Sequence, residues 1–347
     1  MSAMAPWLLA QTRQLLLQRG HAWLLHGPAG LGQYTLGLAM VRGWLCEAPQ
    51  LGMACGQCAA CHAVDVRTHA DLCVLMPETL ALELAWPLDE KAQREIDEKK
   101  RKPSREIRVD AVRDAVEFSQ RTSARGQGKA VLVYPAERMN AESANALLKT
   151  LEEPPGHVRF VLACEAVHQL LPTVRSRCMS HTMTWPGTDE ALAWLQEQGL
   201  GAAQAQVWLR ASGGRPEEAL ALAGSGLKAE SWGQLPRQVM QADSKAAEGL
   251  APVQWVGVLQ KVCHDAMAVQ QGAMPRFFDT ADLPPLRHMA PLAAWARQLA
   301  LSARSAEHPF NAPLTTESLL LQGAAALQRA TVARNGAGGR TTGKMAG

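Results

Sequence analysis

The chain has 347 residues, enough for two or three domains at the usual ~100–200 residues each. Hydrophobic residues make up 47%, which excludes wholesale disorder. The formal charge of +3, from 35 Lys plus Arg against 32 Asp plus Glu, is too balanced for a protein that coats nucleic acid by charge alone.

Met1–Gln11 lacks a basic region ahead of a long apolar core, and no stretch approaches ~20 uninterrupted apolar residues. The expectation is a cytoplasmic chain with no membrane span, in which the eight cysteines serve as metal ligands or buried thiols rather than disulfides. Residues 7–20 predict an amphipathic helix with Trp7, Leu8, Leu15, Leu16 and Leu17 on its apolar face. The apolar run His21–His26, the turn Gly27–Gly32 and a helical pattern to Leu45 read as strand, glycine-rich turn and helix, the opening of a parallel α/β sheet. A cysteine cluster spans Cys46 to Cys61, and residues 72–76 predict the next strand.

Leu88–Glu106 alternates in charge and contains Glu98-Lys-Lys-Arg-Lys102; it reads as a solvated helix or a mobile loop, with a phosphate-binding arm as the functional alternative. Val109–Gln120 predicts a helix and Ala130–Tyr134 a buried strand. Ala144, Leu147, Leu148 and Leu151 mark a helix stopped by Pro154-Pro155, and Phe160–Ala163 another strand. Beyond about residue 180 no strand run is evident: short helices to Gly226, longer amphipathic ones from Leu235, and a Gly/Thr/Ala tail after Ala333 expected to be disordered.

Three stretches carry chemistry. A phosphate loop, Gly-x4-Gly-Lys-[Ser/Thr], cradles phosphates on backbone N–H groups, neutralises them with its lysine and holds magnesium on its hydroxyl. Here Gly27, Gly30 and Gly32 keep the scaffold, but Gln33 stands at the lysine position, Tyr34 at the hydroxyl position, and Thr35 falls one residue late. After the Ala130–Tyr134 strand, where such a site needs an Asp and a Glu, stand Pro135 and Ala136. Tight ATP binding and hydrolysis are therefore not expected. Second, Cys46, Cys55, Cys58 and Cys61, with two two-residue gaps, suit one tetrahedral zinc; four thiolates leave no open position, so that zinc would be structural. His62 could replace a cysteine, but the set is complete without it. Third, Leu170–Cys178 carries Arg175 and Arg177, which on residue type alone are surface charge.

The combination of Asn145-Ala-Leu-Leu-Lys-Thr-Leu-Glu-Glu-Pro-Pro155, Ser176-Arg-Cys178 and the four-cysteine insert resembles the bacterial DNA polymerase III clamp-loader family, of the AAA+ class. Glu307–Leu314 followed by Glu317–Leu321 also resembles that family's collar. The resemblance implies an AAA+ α/β module over residues 1–183 (a parallel sheet with helices on both faces, and the zinc module at 46–61), a helical lid at 184–228, an all-α oligomerisation collar at 229–333 and a tail at 334–347. Within the family, Gln33, Tyr34, Pro135 and Ala136 look like the non-hydrolysing delta-prime kind rather than the gamma or tau motors. By that likeness Arg177 is an arginine finger offered in trans to ATP on a neighbouring gamma/tau subunit; the delta subunit lies on the other side, and the ring loads the sliding clamp onto primed DNA. Glu217 stands at the motor's lid-sensor arginine position, Arg215 two residues early, and Cys164 where a polar sensor often ends the strand. The competing readings are a motor-type ATPase with an atypical phosphate loop and a zinc protein binding nucleic acid alone.

Overall fold

The computed structural model describes residues 4–305 and 311–331; the expected tail and Glu307–Phe310 of the collar-like motif lie outside them. The chain forms two compact units, residues 1–198 with 215–218, and 199–214 with 219–347.

The first unit is a layered α/β structure. Its elements are α1 (Pro6–Leu16), β1 (Ala22–His26), α2 (Gln33–Leu45), α3 (Ala59–Asp65), β2 (Leu72–Leu75), α4 (Glu78–Glu83), α5 (Glu90–Asp97), α6 (Val109–Gln120), β3 (Lys129–Val133), α7 (Ala141–Glu152), β4 (Val158–Cys164), α8 (Pro172–Arg175), β5 (Met179–Thr182) and α9 (Thr188–Glu197). The five strands run parallel in the order β2-β3-β4-β1-β5. β3 and β1 read as near-continuous apolar runs because a parallel sheet covered by helices is buried on both faces. Close approach is built in at Gly37 of α2, where a Cβ would meet Leu132 at 2.8 Å and Val161 at 3.2 Å. A side chain there would force these two buried methyl groups, or the helix, to shift.

One difference from the sequence expectation stands out. β5 is an additional strand that pairs with β1 from Trp23↔Met179 to His26↔Thr182. It sits at the sheet edge and is mostly exposed, so neither an apolar run nor a clean alternation announces it. The charged stretch forms the solvated helix among its two expected readings, α5, in which no residue is buried, and the turn after it is anchored rather than mobile. Asp89 caps α5 by accepting from the N–H groups of Lys91 and Ala92. Arg101 is pinned by Glu78 and Glu95, with its NH1 2.5 Å and its NH2 2.8 Å from Glu78 oxygens and its Nε 2.8 Å from Glu95. Ser104 N–H also donates to Glu78, and the Ile107 N–H to Arg138 C=O.

The second unit is helical: α10 (Ala202–Ala211), α11 (Pro216–Ala223, whose first turn belongs to the first unit), α12 (Ala229–Trp232), α13 (Leu235–Met240), α14 (Pro252–Gln270), α15 (Met289–Ser305) and α16 (Ala312–Thr331). Trp255 and Trp295 are completely buried. Trp232 stacks on Phe278 with ring centroids 5.0 Å apart. Buried Asp265 accepts the backbone N–H groups of Arg276, Phe277 and Phe278 and so fixes the segment after α14. Among the described residues no helix is long and apolar enough to cross a membrane.

Candidate functional site

The cysteines converge. Cys46 follows the last turn of α2, Cys58 is the N-cap of α3, and Cys61 lies in that helix's first turn. The four sulfurs all lie within 4.8 Å of one another, and Cys46 and Cys58 Sγ are 3.8 Å apart. A tetrahedral zinc with Zn–S of ~2.3 Å sets its sulfurs ~3.8 Å apart, so the donor set fits that ion. Backbone N–H groups point at the sulfurs: Cys55 N–H at Cys46, Gln57 and Cys58 N–H at Cys55, Cys61 N–H at Cys58. Each donor favours the thiolate over the thiol. At Cys58 burial opposes ionisation, yet the N–H groups of Cys61 and Glu47 outweigh it and bring the thiol down to about 6. Burial, with the Cys58 and Cys46 sulfurs alongside, pushes Cys61 up to about 12. Sulfurs this close repel one another as thiolates, and a divalent cation among them removes that repulsion. Arg42 on α2 pairs with Asp65 on α3 at 2.8 Å and ties the two helices of the module together. His62 is exposed and outside the set.

The phosphate loop has the opposite character. It connects β1 to α2, and Gly32, the N-cap of α2, takes the left-handed backbone (φ +91°) that glycine adopts without steric cost. Gln33 is 2% exposed, and its side chain folds back into the loop. Its Nε2 donates to the carbonyls of Gly27 at 2.7 Å and Pro28 at 2.8 Å. Tyr34 Oη accepts from Trp86 Nε1 at 2.6 Å, and its ring packs 5.3 Å from that of Tyr134.

The first turn of α11 closes over this loop. Glu217 N–H donates to Gly30 C=O and Arg215 to Ala29 C=O, both at 3.2 Å. Thr35 Oγ1 donates to Glu217 Oε1 at 3.2 Å, and a Cβ on Gly32 would stand 2.9 Å from that oxygen. Burial pushes Glu217 above the usual carboxylate range, and Glu165 nearby adds to the shift. Arg215 is also paired with Glu218. The fold thus brings Gln33, Thr35, Arg215 and Glu217 together, and an arriving phosphate would meet a carboxylate and an amide instead of a lysine.

Pro135 and Ala136 follow β3, with Ala136 fully buried. The first acid there is Glu137, one residue late, and its Oε1 accepts from the N–H groups of Glu165 and Ala166 at 2.9 and 2.8 Å. Cys164 ends β4 buried, and burial, with Glu137 beside it, pushes the thiol up to about 12. The sequence reading missed Glu137, Glu165, Tyr134 and Trp86. Tyr134 Oη donates to Glu165 at 2.7 Å. Glu137 alone carried a local signal, an acid just past a strand end.

Arg177 lies between α8 and β5. Its Nε and NH2 reach Glu152 Oε2 at 2.9 and 2.8 Å, and NH1 donates to Thr173 C=O at 3.0 Å. Glu152 is the last residue of α7, in the Leu-Glu-Glu-Pro-Pro stretch. Cys178 packs against the sheet core while Arg177 stays part-exposed, so the triplet turns one side chain inward and one outward. Arg175 is exposed.

Known proteins resemble this chain in sequence. The family model described as "DNA polymerase III, delta subunit" matches residues 12–185. "DNA polymerase III subunit delta'" of Pseudomonas aeruginosa is 38% identical over 232 residues, 66% of this chain and 64% of that one. The protein of that name in Escherichia coli K12 is 34% identical over 62% of this chain and 60% of its own. "DNA polymerase III subunit tau" of the same organism is 31% identical over 46% of this chain and 21% of its own. The alignments span somewhat under two thirds of the length of the delta' relatives. The match over residues 12–185, which holds the sheet, the cysteine centre and Arg177, makes this chain a member of the family described as DNA polymerase III, delta subunit.

Proposed function

We propose that this chain is a non-hydrolysing, delta-prime-type stator of a DNA polymerase III clamp loader, which loads the sliding clamp onto primed DNA. The observation that carries the reading is Gln33: its amide fills the phosphate loop and satisfies the carbonyls of Gly27 and Pro28. The loss of the acidic pair to Pro135 and Ala136 and the closure by Glu217 support it. In this reading the chain is a component of the polymerase complex and not an ATPase itself, and it binds ATP weakly or not at all through Gly27, Gly30, Gly32, Gln33 and Tyr34.

Residues 1–183 are then an AAA+ module, 184–228 a lid and 229–333 a collar that assembles beside gamma/tau and delta. Cys46, Cys55, Cys58 and Cys61 hold one structural zinc, whose contribution is to cross-link the loop after α2 to α3. Arg177 is the finger presented in trans to ATP on the neighbouring gamma/tau subunit. A guanidinium suits that task because it is planar, permanently charged and able to engage two phosphate oxygens. Engagement exchanges Glu152 for phosphate.

The test is DNA- and clamp-stimulated ATPase of the reconstituted complex with wild type or Arg177→Ala, beside the isolated chain. No turnover by the isolated chain, with a large loss on Arg177→Ala in an intact ring, is expected. Turnover by the isolated chain would make it a motor with an atypical phosphate loop. An unaffected Arg177→Ala complex would remove the finger.

A further inference from the structure

The charged segment between β2 and α6 plays no part in the site described above. Its centre, Lys99-Lys100-Arg101-Lys102, concentrates four basic residues in a chain whose net charge is only +3. Arg101 turns inward, locked on Glu78 and Glu95. Lys99, Lys100 and Lys102 are exposed. The lock makes the difference: a lysine cluster on a loose loop loses backbone freedom when it binds, whereas the backbone here is already held.

The backbone adds a second observation. α5 ends in a Schellman-type turn, with Lys99 N–H on Ile96 C=O at 3.0 Å and Lys100 N–H on Glu95 C=O at 2.9 Å. Lys99 takes the left-handed position of that turn, φ +56°, where glycine would be cheaper. Favourable charge at a helix C-terminus explains one or two of these lysines. It does not account for a lysine at the glycine position, nor for Lys102 beyond the turn. Lys100 has an ion pair with Glu98 at 2.5 Å, but both side chains are well exposed and such a pair is readily exchanged.

We infer that the turn Lys99–Lys102 is a contact surface for the phosphate backbone of duplex DNA, in the primed DNA on which the proposed assembly acts; the inference rests on that reading. Residues 98–102 contain no apolar side chain, so the surface lacks the aromatic or aliphatic anchor that protein interfaces use, while mobile point charges suit evenly spaced phosphates. The contacts would add affinity without reading sequence.

The experiment measures binding of primed duplex to the reconstituted complex as a function of salt, with wild type, with Lys99→Ala/Lys100→Ala/Lys102→Ala, and with the same three positions changed to Arg. Each phosphate contact adds ~0.9 to the slope of log K against log salt. The alanine variant is expected to lose about 2–3 from that slope, the arginine variant to keep it, and ring assembly to be unchanged in both. A slope equal to wild type in the alanine variant overturns the inference. So does an unchanged slope accompanied by weaker binding to the clamp, which would make the turn a surface for an acidic protein. If the wild-type complex neither assembles nor binds primed DNA, it is the clamp-loader reading that fails.

Discussion

The cysteine module and the phosphate loop lie on either side of the same helix, α2, and treat their polar groups in opposite ways. At the module, four sulfurs converge within 4.8 Å and backbone N–H groups aim at them, so the site is arranged around something the chain does not supply. At the loop, the polar side chains meet the protein instead: Gln33 on Gly27 and Pro28, Thr35 on Glu217, Arg215 on Ala29. A site kept for a ligand leaves its chemistry convergent and unsatisfied. A site that takes no ligand, as proposed for this loop, is satisfied from within. The glycines survive in both cases because the backbone needs them, so their presence alone separates nothing.

The comparison can be broken most severely at the module. Cys58→Ala is expected to lower the metal content from about one zinc per chain to near zero and to free residues 46–66 to rapid amide exchange, since structural zinc supplies ~10–16 kcal/mol in small metal-folded domains. Retained stoichiometric metal would sink the four-thiolate assignment. Next in size is Arg177→Ala, for which fingers in trans predict a ~10³–10⁵ loss in the assembled ATPase. An intermediate effect is expected at the loop. Gln33→Ala leaves two loop carbonyls without their donor and should cost about 1–3 kcal/mol in urea unfolding. Gln33→Lys should restore no turnover, because Pro135, Ala136 and Glu217 remain; measurable ATP hydrolysis by that variant would show that the loop was one residue from function.

The smallest effect is a pH dependence. Burial holds Glu217 and Glu165 above their unfolded carboxylate values. The folded chain therefore binds more protons than the unfolded one between the unfolded and folded values. Stability is fully present below the unfolded value and falls as pH rises through the window above about 4.5. Glu217→Gln should flatten that slope, read from urea midpoints at a series of pH values. A slope that steepens in the variant would contradict the assignment.

The parallel sheet was largely legible because β1, β3 and β4 are buried on both faces and read as near-continuous apolar runs. β5 was not, because an exposed edge strand carries neither an apolar run nor an alternation. Cys55, Cys58 and Cys61 were legible from their two-residue gaps, and Cys46 joins them across eight residues from the end of α2. At the phosphate loop the missing lysine, hydroxyl and acids could be read, but not what replaced them. The bond between Thr35 and Glu217 joins residues 182 apart, and no local pattern announces it. In the charged stretch the solvated helix was legible, but not the anchoring of the turn after it: Arg101 looks like its lysine neighbours until Glu78, 23 residues earlier, is found beside it.

The ion pair between Arg177 and Glu152 has a kinetic consequence under the proposed role. A guanidinium held by its own chain is not an idle cation that any passing anion captures. Its transfer to a neighbour's phosphate swaps one anionic partner for another, leaving the arginine paired at both ends of the step. The exchange is driven by the stronger, multiply charged ligand alone. A neighbour without nucleotide offers nothing to trade, so the finger stays holstered and the interface reports whether the adjoining site is loaded.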